Sequence, residues 1–157
     1  MIRIGQGVDV HAFDGARPLI LGGVEIPGSP GLGGHSDADV VCHAVADALL
    51  GAACAGDLGQ NFPAIERWRN VSSLEILRES RLLLETKGWR IGNVDATVVA
   101  EAPKLSPYVS EMAHNVAGVL GVADDAVSVK ATTTDGLGFA GRGEGIACFA
   151  VALIERS

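Results

Sequence analysis

No stretch of the chain reaches the roughly 20 consecutive apolar residues that a membrane-spanning helix needs. Nor does any run of Lys or Arg interrupt a net charge of −7, so the basic stripe of an extended nucleic-acid surface is missing. Cysteine is scarce: Cys42, Cys54 and Cys148 are odd in number and share no paired spacing, which reads as reduced thiols in a reducing compartment. Met1-Ile2-Arg3-Ile4 opens directly on a strand-like pattern, with no basic-then-apolar leader. These absences point to the cytoplasm, with neither membrane nor nucleic acid as partner. Aromatic residues are only 4% of the chain against 48% hydrophobic, so Val, Leu, Ile and Ala must build the core.

Glycine, by contrast, is plentiful at 21 residues, several bunched beside polar side chains as in loops that bring backbone close to a ligand. At 157 residues one domain, 1–157, is expected. Residues 2–10 read as a strand and 18–27 as a hairpin turning at Gly22-Gly23. Residues 28–34 read as a loop. Asp37 or Asp39 stands ready to cap a helix reaching about Ala55, whose apolar residues recur at helical spacing. Residues 56–71 are irregular. Ser72 and Glu75 form a capping-box pattern before a helix that stops at Gly88. Residues 92–100 form a strand, Ser106-Pro107 an N-cap and first helical proline, and Gly121 a stop. Residues 127–132 and 146–154 are the last strands. The order favours an α+β fold, a two-layer sandwich of a mixed sheet with helices packed on one face.

Four places carry chemistry, and a fifth, residues 56–63 just after the helix that reaches Ala55, reads as the lining of a polyol pocket or as a plain loop. Asp9 and His11, two apart on a strand, point to one face. Asp39, His43 and Asp47 share one helix face, so one ring nitrogen of His43 can bind a metal while the other donates to Asp39 or Asp47. Together Asp9, His11 and His43 form a two-His, one-carboxylate set, which suits catalytic zinc and equally non-haem iron. Cys42 points about 100° away from His43 and reads as core. Residues 130–135 leave a strand with successive hydroxyls and a carboxylate, and Asp135 suits a hard cation such as Mg²⁺ or Mn²⁺. Residues 100–106 leave another strand end, where Lys104 can meet phosphate. The ligand set alone also admits a zinc phosphohydrolase. Taken singly, the Asp9-His11, 130–135 and 100–106 segments read more readily as ordinary loops or solvated polar ends, whereas the 39/43/47 stripe is harder to read so because its helix is otherwise apolar.

Read in order, GQGVDVHAF (5–13), HSDAD (35–39) with His43, DALLGA (47–52), GDLG (56–59), GNVD (92–95), APK (102–104), KATTT (130–134) and GFAGRGEGIA (138–147) resemble one family across nearly the whole chain. It is the 2-C-methyl-D-erythritol 2,4-cyclodiphosphate synthases of the non-mevalonate isoprenoid pathway. The resemblance implies a homotrimer with sites at subunit interfaces, zinc on Asp9, His11 and His43, and a second divalent ion, Mg²⁺ or Mn²⁺, near Asp135. The implied substrate is 4-diphosphocytidyl-2-C-methyl-D-erythritol 2-phosphate, whose 2-phosphate attacks the β-phosphorus and expels CMP. His35 and Thr133 match transition-state-stabilising positions. The resemblance places His35, Ser36, Asp57, Leu58 and Gly59, with Phe62, Pro63, Ala64, Ile65 and Glu66, around the erythritol phosphate. Ala100, Glu101, Ala102, Pro103, Lys104, Leu105 and Ser106, with Thr132, Thr133 and Thr134, would receive cytidine diphosphate from a neighbouring subunit. Asp9, Val10, His11 and Asp135 also match substrate-binding positions. Phe139 and Arg142 match residues ringing an apolar channel on the trimer axis that can hold an isoprenoid diphosphate. Three positions depart from the family: Asp135 replaces Glu, the 62–66 loop keeps one carboxylate where two aspartates are usual, and Val8 replaces Phe at the channel wall.

Overall fold

The computed structural model describes residues 1–156; Ser157, the last residue of the expected domain, lies outside the described residues. Strand β1, Ile2–Leu21, pairs antiparallel with β2, Val24–Leu32, through a turn at Gly22 and Gly23. Both turn glycines have positive φ, 55° and 71°, and a Cβ on them would strike Met112 and Leu74 respectively. Glycine is therefore required there on two counts.

β1 runs well past the expected end at residue 10, and residues 28–32, expected in a loop, belong to β2. The glycines and prolines that signalled a loop are absorbed by register shifts between Phe13 and Pro18 and again before Leu19. β2 is the sheet edge, where a proline lacking its N–H is tolerated.

The five strands lie in the order β2-β1-β5-β3-β4, with β3 spanning Arg90–Val99, β4 Val127–Thr132 and β5 Gly145–Glu155. β5 is antiparallel to both β1 and β3, whereas β3 and β4 are parallel. That parallel pair requires a crossover, supplied by the helix Val109–Leu120, here α4.

Helix α1, Val40–Ala52, is buried at every residue except Asp47 and Gly51. It packs across β1 and β5 because β1 offers Gly5 and Gly7 to it. A Cβ at Gly5 would lie 1.9 Å from the Ala48 carbonyl oxygen, and one at Gly7 2.0 Å from that of Ala44. The helix backbone thus rests directly on the strand, on the face that Asp9 and His11 share by the two-residue strand period. Helix α3, Ser73–Thr86, touches both α1 and α4, so the three helices form one layer. The mixed sheet with helices on one face is the architecture expected.

Some local readings shift. α1 stops at Ala52, and 56–71 contains a short helix α2, Leu58–Asn61, and a 3₁₀ turn, Glu66–Trp68. Ser72 caps α3 through the Leu74 N–H, but the Glu75 carboxylate pairs with Arg78 and does not complete a capping box. α4 starts at Val109, after a turn in which the Tyr108 N–H donates to the Leu105 carbonyl, so Ser106 is not its N-cap. Gly121 ends α4 in the left-handed region, as expected.

On the other sheet face, Ile4, Val8 and Val10 of β1 and Phe149 and Val151 of β5 are between 44% and 70% exposed. Val8 pairs with Phe149, making a continuous apolar surface that the layer of α1, α3 and α4 leaves uncovered and that only the short segment around Phe139 borders among the described residues. No described helix is long and apolar enough to cross a membrane.

Candidate metal centre

Gly7 seats α1 against β1, and this contact sets His43 over Asp9. Asp9 Oδ2 lies 3.0 Å from His11 Nε2 and 3.0 Å from His43 Nδ1. One donor atom from each of the three falls within 4.8 Å of the others, with His43 buried and Asp9 and His11 half-buried. The outer nitrogens are also held. His11 Nδ1 meets the Gly33 carbonyl, and His43 Nε2 lies 3.0 Å from Ser36 Oγ and 2.9 Å from Ser73 Oγ. Two imidazoles tethered from behind and a carboxylate between them form a donor set that fits a divalent cation such as zinc.

Burial pushes the Asp9 carboxyl up, but hydrogen bonds and charge from His11 and His43 outweigh it and hold the group well below the usual carboxylate range. The same Asp9 hydrogen bond raises the His11 imidazole above its ordinary value, against burial. A metal needs the lone pair that this proton occupies, so binding releases a proton and affinity falls as pH falls through the raised His11 value. Zinc titrations by calorimetry in buffers of different ionisation enthalpy should show more protons released at about pH 6 than at about pH 8. Equal release at both would mean His11 is not displaced from its proton.

The expected support of His43 by Asp39 or Asp47 is not what forms. Asp39 caps α1 and turns away, accepting from Val41 N (3.0 Å), Cys42 N (3.1 Å), Gly22 N (2.9 Å) and Gly23 N (2.8 Å). Helical spacing placed residues 39 and 43 on one face, but an N-cap side chain folds back onto its own first turn. Asp47 accepts from Leu58 N at 2.9 Å and so anchors α2. That anchor borders an open cavity of about 300 Å³ lined by Val8, Asp9, His43, Asp47, Asp57, Leu58 and Gly59. Asp57, Leu58 and Gly59 thus lie beside Asp9 and His43.

His35 reaches Ile65 with Nε2 2.7 Å from that carbonyl, which joins it to the 62–66 segment. Within that segment Phe62 packs edge-on against Trp68 at 5.1 Å, while Pro63, Ala64, Ile65 and Glu66 are exposed. Glu66 pairs with Arg69. A second cluster forms where β3 and β4 end. Ala100 N donates to the Thr132 carbonyl, and the Glu101 carboxylate receives Thr134 N (3.3 Å) and Gly136 N (3.4 Å). Thr133 Oγ1 bonds Asp135, which sits at φ 53°. Ala102 and Pro103 are joined by a cis peptide, Lys104 and Ser106 are exposed, and Leu105 is buried. Phe139 lines an apolar cavity of about 270 Å³ with Val10, Val99 and Phe149. Arg142 is engaged by Glu144 through two bonds of 2.8 and 3.1 Å.

The two clusters share one end of the sheet, since Val99 pairs with Ala147 and Ala147 with Val10. Yet β5 and β3 separate β1 from β4, which at strand spacing is about 14 Å. One chain does not bring Thr133 to the triad.

Two residues escaped the sequence reading. Arg17 donates to the carbonyls of Ser36 and Gly34, bracketing His35. Ser73 lies against His43. Arg17 sits in a hairpin and Ser73 at a helix start, where local signals account for both, and nothing in the sequence ties them to the site.

The fold and donor set define the class: an α+β protein with a candidate divalent-metal centre at a strand end. The YgbB family model matches residues 2–155. The 2-C-methyl-D-erythritol 2,4-cyclodiphosphate synthase of Syntrophomonas wolfei subsp. wolfei is 54% identical over 157 residues, covering 99% of this chain and 100% of that protein. The chain belongs to this synthase family, and it is an enzyme of that kind. Among solved structures, the bifunctional IspDF from Campylobacter jejuni is similar at TM-score 0.96 and 39% identity, covering 100% of this chain, which spans 43% of that one. The CDP complex of IspF from Plasmodium falciparum is similar at TM-score 0.86 and 38% identity, covering 99% of this chain and 97% of that one.

Proposed function

We propose that the protein converts 4-diphosphocytidyl-2-C-methyl-D-erythritol 2-phosphate to 2-C-methyl-D-erythritol 2,4-cyclodiphosphate and CMP, in the non-mevalonate pathway to isoprenoid precursors. The observation that carries this is the convergence of Asp9, His11 and His43 beside the Asp57–Gly59 cavity. A 2-phosphate oxygen forms a bond to the β-phosphorus, the bond from that phosphorus to the α–β bridging oxygen breaks, and CMP leaves with that oxygen. The nucleophile is already an ionised phosphate, so no side chain has to remove a proton; the work is alignment and charge neutralisation.

Asp9, His11 and His43 would hold zinc, which when bound supplies Lewis-acid charge at the β-phosphate. Asp57, Leu58 and Gly59 line the adjoining cavity and orient the erythritol phosphate, and His35 and Ser36 would join them on the substrate. Thr132, Thr133 and Thr134, with residues 100–106, receive the cytidine diphosphate; the CDP-bound Plasmodium falciparum structure supports a cytidine-linked ligand. Asp135 serves a second divalent ion, Mg²⁺ or Mn²⁺. The gap of two strands between the clusters supports a site completed by a neighbouring subunit. The uncovered apolar face of β1 and β5 supports association of copies as a homotrimer. The Phe139 cavity opens on that face and would take the apolar tail of an isoprenoid diphosphate, with Arg142 released from Glu144 to meet its charge. Free Cys42, Cys54 and Cys148 suit a reducing cytoplasm.

Phosphorus NMR of the reaction separates this reading from a zinc phosphohydrolase. The expected products are CMP and a cyclic diphosphate, formed without consumption of water. A linear hydrolysed diphosphate as the sole product would overturn it.

A further inference from the structure

His43 Nε2 is held from behind by two buried hydroxyls, and a carboxylate sets the direction of one of them. A carboxylate accepts hydrogen bonds and donates none. Asp37 receives both the Ser73 N–H, at 3.0 Å to Oδ2, and the Ser73 hydroxyl, on Oδ1. The single hydroxyl proton of Ser73 is therefore committed to Asp37, and its oxygen has only lone pairs left for its other neighbours. One of those neighbours is His43 Nε2 at 2.9 Å. The contact is a hydrogen bond only if the imidazole carries its proton on Nε2. Ser36 Oγ also lies 3.0 Å from His43 Nε2; it accepts the Ala38 N–H, and with its own proton directed to Ser73 Oγ at 3.3 Å it accepts from Nε2 as well. Ser73 is 0% exposed, Ser36 5% and His43 6%, so bulk water does not scramble the arrangement.

With Nε2 committed as a donor to Ser73, Nδ1 is the nitrogen left to give its lone pair to a cation. It lies 3.0 Å from Asp9 Oδ2, with which it is hydrogen-bonded when no metal is bound. Two acceptors at that distance repel unless a cation or a proton lies between them. We propose that Ser73, oriented by Asp37, is a positioning residue that sets the His43 tautomer and thereby makes Nδ1 the metal donor. The chain runs Asp37, Ser73, His43, metal, and it reaches from the loop before α1 through the first residue of α3. The carboxylate at its far end makes the imidazole a stronger donor, as outer partners of ligating histidines do. This inference rests on the metal reading of Asp9, His11 and His43.

The test is zinc affinity, by competition with a chromogenic chelator, for the wild-type protein and its Ser73→Ala, Ser73→Thr and Asp37→Asn variants. The absorption spectrum of the cobalt-substituted proteins and the thermal midpoint of the metal-free proteins are recorded alongside. Ser73→Ala is expected to weaken zinc roughly 10- to 100-fold and to change the cobalt spectrum, while the metal-free midpoint stays near that of the wild type. Ser73→Thr, which keeps the hydroxyl, is expected to recover most of the affinity. Asp37→Asn reports on the same chain without touching a fully buried position and is expected to weaken zinc by a smaller factor in the same direction. Wild-type affinity and spectrum in both Ser73→Ala and Asp37→Asn would overturn the role of Ser73. Failure of the wild-type protein to bind one zinc per chain would instead overturn the metal reading, and this inference with it.

Discussion

His43→Ala is expected to lower CMP release by several hundredfold while leaving the protein folded. The loss follows from geometry. Asp9 Oδ2 is 3.0 Å from both imidazoles, and removing the buried one leaves two donors where the site needs three. Transition-state charge that a well-placed electrostatic group stabilises is worth about 3–4 kcal/mol, and each 1.4 kcal/mol is a factor of ten in rate. Zinc content by plasma emission should fall from one per chain to near zero in parallel. The fold should persist because the neighbours of His43 along α1 are apolar and fully buried in their own right, and a circular-dichroism melt checks this. An active, metal-free His43→Ala protein would mean that the triad is not the reaction centre and would favour a non-catalytic binding module.

The largest stability effect is expected at Asp39, away from the chemistry. Its carboxylate is 0% exposed and accepts from the Gly22, Gly23, Val41 and Cys42 N–H groups. One side chain therefore closes the β1–β2 turn and starts α1. Burial, with added repulsion from Asp37, raises its pKa against the pull of these donors. Asp39→Ala removes an N-cap, worth about 1–2 kcal/mol, and leaves buried N–H groups unpaired at about 1–3 kcal/mol. A total near 4 kcal/mol corresponds to a fall of about 10 °C in Tm for a domain of this size. Asp39→Asn should lose about half as much. Its amide oxygen can still serve Gly22, Val41 and Cys42, while the amide NH₂ confronts the Gly23 N–H. A Tm within about 2 °C of wild type for Asp39→Ala would show that water replaces the carboxylate.

Local geometry made much of this legible beforehand. Gly22-Gly23 announced a turn, Gly121 a helix stop, and residues 127–132 a strand with the bounds observed. Asp9 and His11 could be paired because strand side chains repeat every two residues. The errors also have local causes. Glycines and prolines in residues 28–32 marked a loop, but an edge strand with register shifts accommodates them. Ser106-Pro107 looked like a helix start, but a turn precedes α4.

By itself the sequence determined the donor set, the order of the three long helices and of the last three strands, and the family, because each depends on residue identity and short-range period. The tertiary structure decided how the donors are used. Helical period offered His43 the carboxylates of Asp39 and Asp47, four residues to either side. The packing of α3 on α1 gave it Ser73 instead, 30 residues along the chain. Which nitrogen of a histidine faces inward depends on what touches the other one, and contacts between distant segments exist only once the layers have packed.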